Sequence, residues 1–253
     1  MTGTVARSSE DSAAVQAGLA VGLAAAAYGI SYGALAVAAG LDIWQTCVMS
    51  LLMFTGGSQF ALIGVIASGG LAAWPSAIAS AVILGVRNGI YGMRVAPMIG
   101  GKWPRKLAAA WVTIDESTAV SIAQPTRHSQ RVGFWVTAAA VFIGWNLTTL
   151  IGALIGNAMG DVRQYGLDAA AAAAFLGLLW PRLKELQTVA VAAGAAVVAV
   201  AFTPVLTPGL PVLAAGVVAV LVGLFNWFAR PARRPAQPAV TEDAHSERTG
   251  GGI

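Results

Sequence analysis

Charge is what this sequence has least of: Asp, Glu, Lys and Arg together make up 10% of its 253 residues, against 57% hydrophobic. Soluble domains carry about 25% charge, so a water-exposed globule is excluded and a chain built for lipid is indicated. Cysteine is scarcer still. Cys47 stands alone inside an apolar stretch, which excludes an intramolecular disulfide framework. The two histidines, His128 and His245, fall in polar connections, leaving no His/Cys cluster for a metal or a nucleophilic triad. A Walker-type phosphate loop is missing, so direct use of ATP by this polypeptide is excluded. No cleavable signal peptide is evident, because the polar opening Met1–Ser12 is followed by an apolar run too long for one. The net charge of +4 needs no nucleic acid to explain it, since Lys and Arg gather in the cytoplasmic loops of membrane proteins. These absences exclude a soluble enzyme, a metal centre and a disulfide scaffold, and they leave an all-α, polytopic membrane protein.

Hydrophobic runs are what the chain has in abundance. Residues 13–40 exceed the roughly 20 needed to cross a bilayer and hold two small-xxx-small pairs, Gly18/Gly22 and Gly29/Gly33, suited to close helix packing. From Ile43 an apolar run breaks at Thr55-Gly56-Gly57-Ser58-Gln59 and resumes to Ala67, each half too short to span. Asp42 is placed to cap the first half. A helix from Ser76 to about Val95 is expected to end before Pro97. Further apolar segments cover 107–124, 133–157, 167–180, 189–202 and 210–228. Residues 1–12 read as a polar N-terminal segment, 13–229 as the transmembrane domain and 230–253 as a disordered cytoplasmic tail.

The basic connections test this count. Lys102, Arg105 and Lys106 form one, Arg127 and Arg131 another, Arg182 and Lys184 a third, and Arg230, Arg233 and Arg234 open the tail. If 107–124 crossed fully, the first of these and the tail would lie on opposite sides. If it dips in and returns, all lie on the cytoplasmic side. The expectation is a bundle of about six to seven transmembrane helices with one or two broken or reentrant helices and a cytoplasmic C-terminus.

Two apolar segments carry unexplained charge. Val82–Pro97 contains Arg87, Asn88 and Arg94, with the arginines two helical turns apart on one face and Tyr91 between them. The 107–124 segment holds Asp115 and Glu116 side by side. A guanidinium in an apolar segment costs several kcal/mol unless acceptors are near. The functional reading gathers both arginines and both acids around a polar cavity beside the Thr55–Gln59 break. The helix beginning at Ser58 would aim its free N–H groups there at an anionic group. A carboxylate that loses its cationic partner takes up a proton, which makes Asp115 or Glu116 a candidate proton carrier. The structural reading is an ion pair that positions two helices, with Arg94 snorkelling to the interface and the break a kinked or reentrant support.

The motifs resemble a known family. T-G-G-S-Q-F-A at Thr55–Ala61 is similar to the G-A-S-Q-F-A signature of the AzlC family of branched-chain amino acid permeases. V-R-N-G-I-Y-G-M-R-V-A-P resembles that family's L-R-H-x-x-Y-G-x-x-x-A-P, and I-D-E-S-T-A its T-D-E-[ST]-[FY]-A. Leu167–Leu179 resembles the segment after its long span, all in the same order. Asn88 stands where the family usually has His, and Gly57 replaces Ala. The resemblance implies export of branched-chain amino acids from the cell by a multi-pass membrane protein, without a cofactor and with a small AzlD-type membrane subunit. The substrate-binding candidates are Gly57, Ser58, Gln59, Arg87, Asn88 and Tyr91, with Arg87 or the Ser58 and Gln59 amides as donors for a substrate carboxylate, and the ion-pair or proton-coupling candidates are Asp115, Glu116 and Arg94. A structural or regulatory membrane subunit whose partner carries the pathway is the alternative.

Overall fold

A computed structural model describes residues 2–159, 176–177, 179–180, 183–206 and 210–225. These residues form helices α1 (Thr2–Ala38), α2 (Ile43–Leu52), α3 (Gly57–Gly69), a short 3-10 turn (Leu71–Ala73) and α4 (Trp74–Ile99). They continue with α5 (Trp103–Trp111), α6 (Asp115–Ile122), α7 (Arg127–Met159), α8 (Leu186–Phe202) and α9 (Leu210–Phe225). Helices α1 and α7 form the most extensive pairing, and α8 packs on α9.

The spacing of small residues dictates how α1 and α7 meet. Gly18 faces Thr137, Gly22 faces Ala140 and Gly33 faces Thr149 and Ala153, while from α7 Gly144 faces Ala26, Gly152 faces Ile30 and Gly156 faces Ala34. Residue numbers rise together along both helices, so the two run parallel. The approach is backbone to backbone: a Cβ at Gly33 would lie 2.1 Å from the Thr149 carbonyl oxygen, and one at Gly152 2.0 Å from that of Ile30. Thr148 Oγ1 donates across the seam to the Ala26 carbonyl at 2.7 Å. In an apolar medium such close packing, together with hydrogen bonds across it, takes the place of the hydrophobic drive that works in water.

This parallel pair gives the bundle two ends, one at Arg127 and one at Met159. Helix α4 finishes at the Arg127 end, where Arg131 Nε donates to the Met98 carbonyl. Helix α5 starts at that end, with the Arg105 guanidinium 5.7 Å above the Trp135 ring. Helix α6 comes back to it, with Ser121 Oγ donating to the Gln130 carbonyl at 2.9 Å and Val120 and Gln124 against Gly133. The pair α5–α6 is therefore a hairpin that enters from the Arg127 end, turns at Val112–Ile114 and returns.

Helices α2 and α3 do the same from the other end. Helix α2 begins just past the end of α1, where Asp42 accepts from the Gln45 N–H at 2.7 Å and Gln45 accepts from the Asp42 N–H at 3.0 Å, a reciprocal cap. Helix α3 runs back antiparallel to α4, with Gly57 against Leu84 and Arg87 and Ser58 against Gly85, and joins it through the turn at Leu71–Ala73. A long helix followed by a half-length hairpin thus occurs twice, α1 with α2–α3 and α4 with α5–α6, in opposite senses.

The element bounds refine the sequence expectation. The polar stretch at residues 2–12 is helical and opens α1, held by Asp11 to His128 at 3.1 Å and by Glu10, which accepts from Thr126 Oγ1 at 3.2 Å. Helix α4 passes through Pro97 and ends at Ile99, because a proline this near the end removes little of the ladder and Val95 and Ile99 are buried with Ala109 and Phe134. The 107–124 stretch is two helices: the Ser117 hydroxyl accepts from the Ile114 N–H at 3.0 Å and caps a fresh start at Asp115.

Two helical stretches, 9–38 and 127–159, are long and apolar enough to cross a membrane, and α2, α3, α8 and α9 are shorter apolar helices. Most of the expected span at 167–180, Arg182 and the tail at 230–253 lie outside the described residues. Gly152→Leu should disrupt the α1–α7 seam, with a loss of folded, detergent-extractable protein, whereas Gly223→Ala, with open space around it, should be tolerated. Size-exclusion profiles of the two variants check this.

Candidate functional site

The two hairpin turns meet on one side chain of α4. Arg87 lies eleven residues before Met98, so it sits ~16 Å into the bundle from the Arg127 end. Its Nη1 pairs with Asp115 Oδ2 at 3.0 Å, and its Nη2 donates to the Thr55 carbonyl at 3.4 Å. Asp115 is the first residue of α6, and Thr55 lies in the turn between α2 and α3. One guanidinium thus bridges the tips of two hairpins that come from opposite ends. The side chains are 30% and 22% exposed, so the pair is worth more than a surface bridge and less than a fully buried one.

Glycine is required beside Arg87. A Cβ on Gly57 would lie 2.8 Å from Nη2, and Gly56, the residue that starts α3, holds φ +61, a conformation that side chains disfavour. The Gly56 carbonyl takes the Gln59 and Phe60 N–H groups at 3.0 and 3.2 Å, and the Gly56 N–H is capped by Gln59 Oε1 at 3.1 Å. Gly57 and Ser58 occupy the first turn of α3, whose N–H groups have no carbonyl within the helix to bond. Around this turn several buried polar atoms find no hydrogen-bond partner among the described residues: Thr55 Oγ1, Ser58 Oγ, Gln59 Nε2, Arg87 Nε and Asn88 Oδ1. A guanidinium and a helix N-terminus lie in the same place, the arrangement that attracts an anion. Behind it Phe60 stands edge-on to Tyr32 at 5.8 Å and to Trp145 at 6.1 Å, forming an apolar wall.

The remaining expected residues distribute unevenly. Glu116 is the second residue of α6, so both acids sit in its first turn, where the helix dipole favours negative charge. Tyr91 is partly exposed one turn beyond Arg87, and Arg94, two turns beyond, is exposed. The arginine that meets an acid is Arg87. Thr113, Ser117 and Ser121, spaced four apart, are buried and spend their hydroxyls on backbone bonds, to Ala109, Val112 and Gln130. An apolar cavity of about 90 Å³ lies between α4 and α5, lined by Val95, Ile99, Ala109 and Lys106, and it reaches the hairpin turn only at Thr113. Among the described residues no group of three or more His, Cys, Asp or Glu comes together as a metal site would need.

Two participants carried little sequence signal. The Thr55 carbonyl acts through its backbone. Trp111, at the end of α5, donates from Nε1 to the Leu51 carbonyl at 3.2 Å, in the last turn of α2. Its position four residues before Asp115 was the available clue.

Fold and site together define an all-helical membrane protein in which opposed half-length hairpins converge on an arginine–carboxylate pair. A family model described as AzlC protein matches residues 20–159. An uncharacterized membrane protein of Archaeoglobus fulgidus is 31% identical over 170 residues, which cover 66% of this chain and 73% of the relative. No solved structure matches the chain. The chain belongs to the AzlC family, a family related to membrane transport.

If the ion pair couples the hairpins, Arg87→Ala should lower the melting temperature more than Arg87→Ala combined with Asp115→Asn, which removes the stranded carboxylate charge as well. A double-mutant cycle should give a coupling of about 1–3 kcal/mol.

Proposed function

We propose that this protein exports branched-chain amino acids, valine, leucine and isoleucine, across the cell membrane, driven by a proton or ion gradient and acting with a small AzlD-like membrane subunit. The observation that carries the reading is Arg87 held between Asp115 and the α2–α3 turn, next to the free first turn of α3. A zwitterion needs donors for its carboxylate and an acceptor for its ammonium. Arg87, with the Gly57 and Ser58 N–H groups and the Ser58 and Gln59 side chains, supplies the first, and Asp115, with Glu116 beside it, supplies the second. When a substrate carboxylate takes the guanidinium, Asp115 turns to the ammonium or takes up a proton, and this exchange is the route for gradient coupling. Asn88 and Tyr91 border the same face of α4, with Arg94 toward its exposed end.

Orientation follows from charge. The Arg127 end collects Lys102, Arg105, Lys106, Arg127 and Arg131 and is assigned to the cytoplasm. A reading of about six crossings then counts α1, α4, α7, α8 and α9 among them, with both hairpins reentrant and the C-terminus cytoplasmic.

The alternative, a subunit whose partner carries the pathway, draws support from α8, which packs on α9 yet has no fully buried residue, so the rest of its surface is open to lipid or another chain. Proteoliposomes preloaded with labelled valine separate the two. Flux with this chain alone supports a pathway within it, and flux carried by the small subunit without this chain supports the alternative. In the competent preparation Arg87→Ala and Asp115→Asn should each cut valine exchange roughly 10- to 100-fold, the scale of a lost charged hydrogen bond. Wild-type exchange in both removes the proposed site, and efflux indifferent to an uncoupler and to the ion gradients removes the coupling.

A further inference from the structure

Trp111 is placed unlike a tryptophan that anchors a helix at the membrane surface. Helix α5 enters at Trp103, and Trp111 lies eight residues further in, ~12 Å along the helix, at its inner end. Its Nε1 donates to the Leu51 carbonyl at 3.2 Å. Helix α2 stops at Leu52, so the usual donor for that carbonyl, the N–H four residues on, lies beyond the helix end. A carbonyl left bare at this depth is costly in lipid, and the indole is what satisfies it.

The bond belongs to a pattern. Leu51 lies in the last turn of α2 and Thr55 in the α2–α3 turn, and Trp111 ends α5 and Asp115 starts α6, each pair four residues apart. Leu51 is tied to Trp111 directly, and Thr55 to Asp115 through Arg87. The opposed turns are joined by two rungs, one neutral and one charged. A zwitterion competes for the charged rung alone, since only that one has a guanidinium and a carboxylate to offer.

We infer that Trp111 is a positioning residue for transport: its hydrogen bond to Leu51 keeps the two hairpin turns in register while substrate exchanges for Asp115 on Arg87, and it sets how readily they part. The inference rests on the transport reading above, but its consequence can be measured without transport. In a Cys47→Ser background, Thr113→Cys puts a thiol at a position 3% exposed within the α5–α6 turn, and Ala138→Cys puts one at a position 1% exposed on α7 as a control. Alkylation by N-ethylmaleimide in proteoliposomes then reports parting of the turns. Trp111→Phe, which keeps the ring and deletes the donor, should raise labelling at position 113 about two- to tenfold, the range for one ordinary hydrogen bond, with labelling at 138 unchanged. Valine should raise labelling at 113 in the parent and add little once Asp115→Asn has opened the charged rung. The kcat for exchange should change more than KM, since Trp111 touches no substrate. Should Trp111→Phe fold poorly, Trp111→Met, which has no side-chain donor, serves in its place. Parent-like labelling at 113, or an equal rise at both positions, overturns the inference. A rise at 113 alone in a protein that moves no amino acid leaves the rung standing and the substrate assignment overturned.

Discussion

Everything near the centre of this molecule depends on where one guanidinium finds its acceptors. Arg87 sits on a helix whose outward residues, Val82, Ile83, Val86, Ile90 and Met93, are exposed and apolar, so the bundle interior is the only place where its charge is tolerable. Two different kinds of partner meet it there. Asp115 neutralises the charge, and the Thr55 carbonyl is a backbone group set free by the break in the α2–α3 hairpin. Without the breaks neither acceptor would exist at that depth, and without the arginine both the Asp115 carboxylate and the Thr55 carbonyl would lose the guanidinium that joins them. Helix interruption and buried charge are therefore solutions to each other's cost.

The rest of the fold makes this meeting possible by being rigid elsewhere. The α1–α7 seam has backbones touching through glycine, and Tyr32, Phe60 and Trp145 pack where it adjoins the start of α3. The hairpins lean on this wall: α2 and α6 both pack on α7, and α3 lies along α4. Short arms on a stiff backing suit a site that must hold charges in register yet release them.

Legibility in the sequence followed the chemistry of each break. Thr55–Gln59 was visible because paired glycines interrupt an apolar run and serve no helix interior well. Gln59 was assigned to substrate on the same pattern, yet its Oε1 caps Gly56, a local use that the letters do not distinguish from a ligand. The second break, at Val112–Ile114, contains neither glycine nor proline, and it forms because Ser117 caps Ile114 and the acids at 115 and 116 favour a helix start. Asp115 and Glu116 were seen as charges and not as a first turn. The pairing of Arg87 with an acid was legible from cost alone. Which arginine would pair depended on depth: the two share a face, but Arg94 lies near enough to the basic loop at Lys102 to snorkel, which marks Arg87 as the deeper one. Glycine spacing announced close packing at Gly18, Gly22, Gly29 and Gly33, but not that the partner would be α7, more than a hundred residues away, nor that it would run parallel.

That distance has a consequence for how the protein is made. Helix α1 leaves the ribosome first, with a glycine seam that fits nothing until α7 has followed it, and both hairpins must wait in between. Contacts this far apart in the chain form late. The order of synthesis therefore leaves the centre open until α7 closes it, and a nascent chain halted before Arg127 would hold Arg87 and both of its acceptors without the helix that backs them.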